Sequence, residues 1–293
     1  MFERNELDIQ DFFETYGPSA RDCFTFCSDI DSYHSLIRTK VAKMRWDKLT
    51  TALTRRVESL SLDDGSHKVI LVAPRPEDPA FPRIRIITKA VNQFLWEKDS
   101  IERGRNHRQL YRTLRREPST ECFTGMLFEP PFHELCVKGA TLTLYPMTKK
   151  SDGPVNHIFV NNPQTTPEYL ILLPQTRVVF NRTNPITSLL PHHYYQPTAG
   201  NQPSYDSFIY DPALRQMTIF QVTDGKNHGL KPKGMHALRD LAQKLQVNDL
   251  KLRFVIVVPE DYQVTCLVEK GMYEDLGLEM YYLEVTENEL YDD

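Results

Sequence analysis

The period of the apolar positions changes at about residue 120 of this 293-residue chain. Over residues 5–60 they recur at helical spacing. "LDIQDFFETYG" closes on Gly17, and "SDIDSYHSLIRTKVAKMRWDKLTTALTRRVESL" opens on capping residues. "SHKVILVAPR", from Ser66, predicts a strand, and the Pro-rich "PEDPAFPR" a loop. "IRIITKAVNQFLWEKDSIERGRNHRQLYRTLRRE" is then read as helical, with arginine crowded into its second half. After "TGMLFEPPFHELCVKG" a helix gives way to strands: "ATLTLYPM", "HIFV", "EYLILLP" and "TRVVF". "GMHALRDLAQKLQV" predicts an amphipathic helix, and "KLRFVIVVP" a strand buried on both faces. "QVTCLVE" and "EMYYLEV" add further β-structure. The expected organisation is a mainly helical region over 1–120 and a mixed α/β domain over 121–293. The boundary is expected in "EPSTECFT", residues 117–124.

Composition narrows the class only slightly. A net charge of −4 gives no global sign of nucleic-acid binding, so any such signal must be local. No apolar run approaches the ~18 residues of a membrane span. The acidic N-terminus lacks the layout of a secretory signal, which leads to the expectation of an intracellular protein. Five cysteines without metal-like pairing suit a reducing compartment. Cys23 and Cys27, four apart, read as core residues.

The densest chemistry lies in "YDSFIYDPALRQMTIFQVTDGKNHGLKPKG", Tyr205 to Gly234. Two β-rich runs flank the turn "DPALR", where Pro212 presets φ and Asp211 can bond its own backbone. Antiparallel pairing brings Asp206 opposite Gln221, and Thr223 follows Gln221 on the same face. Hydrolysis of a phosphodiester calls for a divalent cation, and Mg²⁺ takes oxygen ligands with only one or two carboxylates. Asp206 offers a carboxylate and Gln221 an amide oxygen. Glu129, in "GMLFEPPFHELCVKG", is a second carboxylate, and His133 shares its face if the helix restarts at Pro130 and Pro131. Lys231 and Lys233 are the candidate cations for the scissile phosphate, with Lys226 and His228 behind them. The bland reading has Asp206 capping a strand entrance, His133 packed in a helix and "DGKNHGLKPKG" as a solvated turn.

A second signal is "ERGRNHRQLYRTLRRE". Arg105, Arg108, Arg112 and Arg115 or Arg116 follow helical spacing and form a basic stripe suited to a phosphate backbone. The alternative is a solvated face paired with nearby Glu.

The segments "GMLFEPPFH", "YDSFIY", "IFQVTDGKNHGLKPKGMHAL" and "LRFVIVVP" resemble, in order, the C-terminal module of Crinkler and retrotransposon hot spot proteins. "FFETYGPSARDCF" is similar to the segment closing the NTPase region upstream of that module. The resemblance implies a restriction-endonuclease-like domain of the PD-(D/E)XK superfamily: a mixed sheet flanked by helices, with the metal site on a central hairpin. It also implies Mg²⁺ or Mn²⁺ as cofactor and nucleic acid, DNA first, as target. Carried over, it makes Glu129 the helix carboxylate and Asp206 the metal-binding aspartate. Gln221 stands where the superfamily has an acidic ligand, and Thr223 where it has lysine; Lys231 or Lys233 would take that lysine's role. The nuclease reading stands beside two others: a non-catalytic effector module binding nucleic acid or a host protein, and a regulator of an NTPase supplied in trans. No G-x-x-x-x-G-K-[ST] is present, so the chain is expected to be a shortened copy that hydrolyses no nucleotide by that device. Action in the cytoplasm or nucleus, a host's nucleus included, goes with the effector resemblance.

Overall fold

The computed structural model describes residues 6–49, 68–74, 82–98, 103–115, 121–181, 184–198 and 204–291. They form two compact units with mixed α and β structure. The first holds residues 1–130 with 198–201 and 291–293; the second holds 131–197 and 202–290.

In the first unit α1 (Glu6–Tyr16), α2 (Ala20–Phe26) and α3 (Ile30–Lys43) follow one another. Gly17 ends α1 at φ +90°, where a Cβ would come 2.6 Å from Ile87. Ser19 and Asp29 cap α2 and α3 through their side chains. Phe12, Tyr16 and Tyr33 meet edge-on or tilted at the centre, with centroids 4.7–5.3 Å apart. Cys23 and Cys27 are buried free thiols, and Cys23 Sγ donates weakly to the Ile9 carbonyl.

The reading of "IRIITKAV…" as helix throughout needs correction. β1 (Ile70–Pro74) pairs antiparallel with β2 (Pro82–Ile86), and only then does α4 (Lys89–Glu97) begin. "PRIRI" alternates with period 2, and Ile86 is fully buried. The Thr88 hydroxyl accepts from Val91 N at 3.3 Å and donates to the Thr15 carbonyl, which starts the helix at Lys89. α5 (Arg103–Arg115) follows and buries His107, Leu110 and Tyr111, one stripe at i, i+3 and i+4.

α6 (Glu121–Lys138) is a single helix, and it does not restart at the prolines. Pro130 and Pro131 remove the N–H groups that would bond the Met126 and Leu127 carbonyls, at about 3 kcal/mol each. Leu127, Phe128, Phe132 and Cys136 are all buried to 1% or less, and the first three each return about 1.5–3 kcal/mol. Burial is of the size needed to offset the broken bonds. The division between the units falls inside this helix, between Pro130 and Pro131.

The second unit is built on an eight-stranded sheet whose strands run β6 (Glu168–Leu172), β3 (Ala140–Pro146), β14 (Glu279–Val285), β12 (Lys251–Pro259), β10 (Gln216–Val222), β9 (Ser207–Asp211), β8 (His193–Pro197) and β7 (Thr176–Phe180). β10, β12 and β14 are parallel, whereas β9 is antiparallel to both β8 and β10. α7 (Pro232–Lys244) connects β10 to β12, and α8 (Lys270–Leu276) precedes β14. A second sheet runs β11 (Asn227–Leu230), β13 (Thr265–Glu269), β5 (Asn156–Val160), β4 (Thr148–Asp152).

β10 explains why the centre is dry. All seven of its residues are buried. Phe220 packs on Phe132 of α6, 5.5 Å between centroids. Met217 and Ile219, on the other face, join Met235 and Leu238 of α7 in the core. "KLRFVIVVP" is the inner strand β12, and its last six residues are buried, as its unbroken apolar run predicts.

Candidate functional site

The hairpin turn forms as its residues dictate: Asp211 Oδ1 accepts from Ala213 N at 2.8 Å and from Leu214 N at 3.2 Å. Its register ends with Ser207 against Phe220, and Asp206, one residue outside it, meets Gln221 through its side chain at the open end. Asp206 N donates to the Phe220 carbonyl at 2.8 Å. The next β10 group facing that way is the Val222 N–H, and there β9 has no further carbonyl to offer. The Asp206 carboxylate takes its place: Oδ2 accepts from Val222 N at 2.7 Å and from Gln221 Nε2 at 2.7 Å. Gln221 Nε2 also donates to the Val222 carbonyl at 3.3 Å. Its two N–H groups are thus used on protein, which turns Oε1, the atom a hard cation prefers, toward other partners. Asp206 is 3% exposed and Gln221 9%.

Thr223 lies one residue past β10. Its N–H bonds Val257 O on β12, and its Oγ1 accepts from Gly225 N at 3.0 Å, closing the turn that leaves the sheet. Lys231 is the N-cap residue of α7, followed by Pro232 at the first turn, and Lys233 lies in that turn; both lysines are exposed. Ser204, which the sequence reading passed over, ties Lys231 to the strand entrance. Its Oγ accepts from Lys231 N at 2.5 Å and donates to Lys231 O at 2.9 Å.

His133 is 1% exposed, and its Nδ1 lies 2.7 Å from Tyr194 Oη, which lies 2.6 Å from Ser207 Oγ. Tyr194 stacks on Phe220, so this network occupies the β10 face opposite Gln221. Burial pushes the Tyr194 hydroxyl and the neighbouring Cys136 thiol up, and both stay neutral. His133 is therefore a packed helix residue, and side-chain alternation keeps it from the Asp206–Gln221 pair. His228 lies on β11, opposite Cys266 of β13, in the four-stranded sheet, and Lys226 is exposed just before it. "NHGL" thus forms a strand and not a solvated turn.

Glu129 belongs to the first unit, where Lys89 of α4 reaches its carboxylate at 3.0 Å. Glu129 is 8% exposed, so the ammonium answers a carboxylate that burial would otherwise penalise. Asp22 is handled likewise. Lys68 Nζ stands 2.6 Å from Oδ2, and the Tyr33 hydroxyl donates to the same oxygen at 2.9 Å. Burial would raise the Asp22 carboxyl, but the hydrogen bonds from Lys68, Tyr33 and Ser19 and the Lys68 charge hold it below its ordinary range. On α5, Arg105 and Arg112 are exposed and Arg108 half-buried, opposite the buried stripe that includes Tyr111. Arg116 lies outside the described residues.

Among the described residues no group of three or more His, Cys, Asp or Glu is placed to hold a metal ion, and no helix is long and apolar enough to cross a membrane. One carboxylate and one amide oxygen still fit a hard cation that keeps several waters. Lys89, Ser204, Tyr194 and Ser207 were missed because each acts through a partner remote in sequence. No protein-family model, no curated protein and no solved structure matches the chain.

Proposed function

We propose that the second unit is a divalent-metal-dependent phosphodiesterase of restriction-endonuclease-like type, acting on nucleic acid and on DNA first. The observation that carries this reading is the Asp206–Gln221 pair at the open end of the inner hairpin. A carboxylate held there by N–H donors, beside an amide oxygen, is a donor set for Mg²⁺ or Mn²⁺. Such an ion, when bound, activates water and offsets charge developing on the phosphate. The residues do the rest: Asp206 and Gln221 hold it, and Lys231 or Lys233 supplies the cation that Thr223 cannot. The mixed sheet, with helices α6 and α7 packed on its two faces, supports the same reading. Membership of the Crinkler and retrotransposon hot spot family belongs to this proposal. So do action in the cytoplasm or nucleus and a partner NTPase or host protein.

One observation favours a second reading, a nucleic-acid-binding module that does not cut. Gln221 brings no negative charge, so Asp206 is the pair's only anion. Plasmid nicking with Mg²⁺ or Mn²⁺ separates the two. The nuclease reading expects nicked product from the wild type and a loss of roughly 100-fold or more in Asp206→Asn. Equal nicking by that variant removes Asp206 from the chemistry. Salt-dependent binding without product selects the second reading.

A further inference from the structure

We propose that Ser204 is a positioning residue for the nuclease site, tying the Lys231 end of α7 to the strand entrance that carries Asp206. The inference rests on the nuclease reading above and adds the device that sets its cation. Ser204 has φ +75°, in the left-handed region where side chains other than Gly, Asn and Asp are uncommon. Such a conformation costs on the order of 1–3 kcal/mol and persists only where the surroundings over-determine it. Glycine would occupy the same φ without strain. The serine contributes its hydroxyl, and both described partners of that hydroxyl are backbone groups of Lys231.

The reciprocal pair matters because of where its ends lie. Ser204 is 7% exposed and precedes Asp206 by two residues, which span at most about 7 Å of chain. Lys231 caps α7 without a side-chain hydrogen bond of its own, so its side chain is not spent on the cap. Thr223, one residue past β10, carries no charge, and its hydroxyl closes a turn. A cation for the phosphate then arrives from another segment, and the hydroxyl of Ser204 holds the Lys231 segment against the strand entrance. A cation placed this way acts on charge that builds in the transition state, so its misplacement lowers kcat more than it raises KM.

The test compares Ser204→Gly, Ser204→Asn and Asp206→Asn with the wild type in steady-state cleavage of plasmid DNA, with melting curves beside each. Gly removes the hydroxyl and relieves the strain. Asn tolerates the same φ and offers a carbonyl and an amide for the two Lys231 groups. The expected result is a kcat roughly tenfold to a hundredfold lower in Ser204→Gly, with KM for DNA within about twofold. Recovery of kcat in Ser204→Asn completes it. Wild-type kcat in Ser204→Gly, or an Asn variant no better than Gly, overturns the role of Ser204. If Asp206→Asn is inactive in that same experiment, the nuclease reading stands alone; if the wild type yields no product, both fall together.

Discussion

In the first unit Asp22 and Glu129 each lie against a lysine ammonium, whereas in the second Asp206 is held by the N–H groups of Gln221 and Val222. The difference is one of charge balance. A lysine cancels the charge of a buried carboxylate and builds the pair into the fold. Neutral N–H donors stabilise the ionised form without cancelling it. In the nuclease proposal Asp206 is the carboxylate of this second kind. The proposal therefore centres on Asp206, and Asp22–Lys68 reads as architecture.

The largest effect should come from breaking the first arrangement. Lys68→Met leaves Asp22 buried with no ammonium, and the first unit should lose about 3 kcal/mol in a urea titration. Both side chains keep some exposure, which sets this at the low end for buried pairs. The pH dependence runs the same way. The folded pKa of Asp22 is depressed, so its stabilisation is present above the unfolded value of about 3.9 and is lost as pH falls through the folded value. Acid titration of the wild type, followed by the fluorescence of Trp96 in the first unit, should show that loss below about pH 4. Lys68→Met should flatten it.

The second arrangement is sharpened by a milder pair of variants. Asp206→Ala strands the Val222 N–H as well as removing the anion, so the second unit should lose about 1–3 kcal/mol. Asp206→Asn keeps an acceptor for Val222 and should melt within about 0.5–1.5 kcal/mol of wild type. Equal melting of both variants would mean that the carboxylate does not cap the strand end. This also makes Asn the cleaner replacement for testing cleavage.

The smallest effect concerns the arginines. Replacing Arg105 and Arg112 with Ala should lower the salt dependence of DNA binding by a slope of about 1–2, with little change in stability. An unchanged slope would assign α5 a purely solvated outer face.

Much of the second unit was legible in local pattern. The apolar run of β12, the amphipathic stretch of α7 and the Pro–Asp turn between β9 and β10 each depend on neighbours within a few residues. The pairing of Asp206 with Gln221 followed from that turn alone. The strand β2 was misread because "IRI" runs directly into helix-forming residues, and only the Thr88 cap and the pairing with β1 separate them. The continuity of α6 was equally hidden. Proline is a local penalty, while the burial that overrides it comes from aromatic side chains elsewhere in the fold.

The sequence by itself determined which segments are helix and which are strand over most of the second unit, and placed an acid opposite an amide on one hairpin. Only the tertiary structure decided that Lys89 pairs with Glu129, that His133 faces away from Gln221, and that Ser204 grips Lys231. Periodicity and turn chemistry are set by neighbours along the chain. Partners far apart in sequence meet only when the whole core repays the entropy of closing the loops between them.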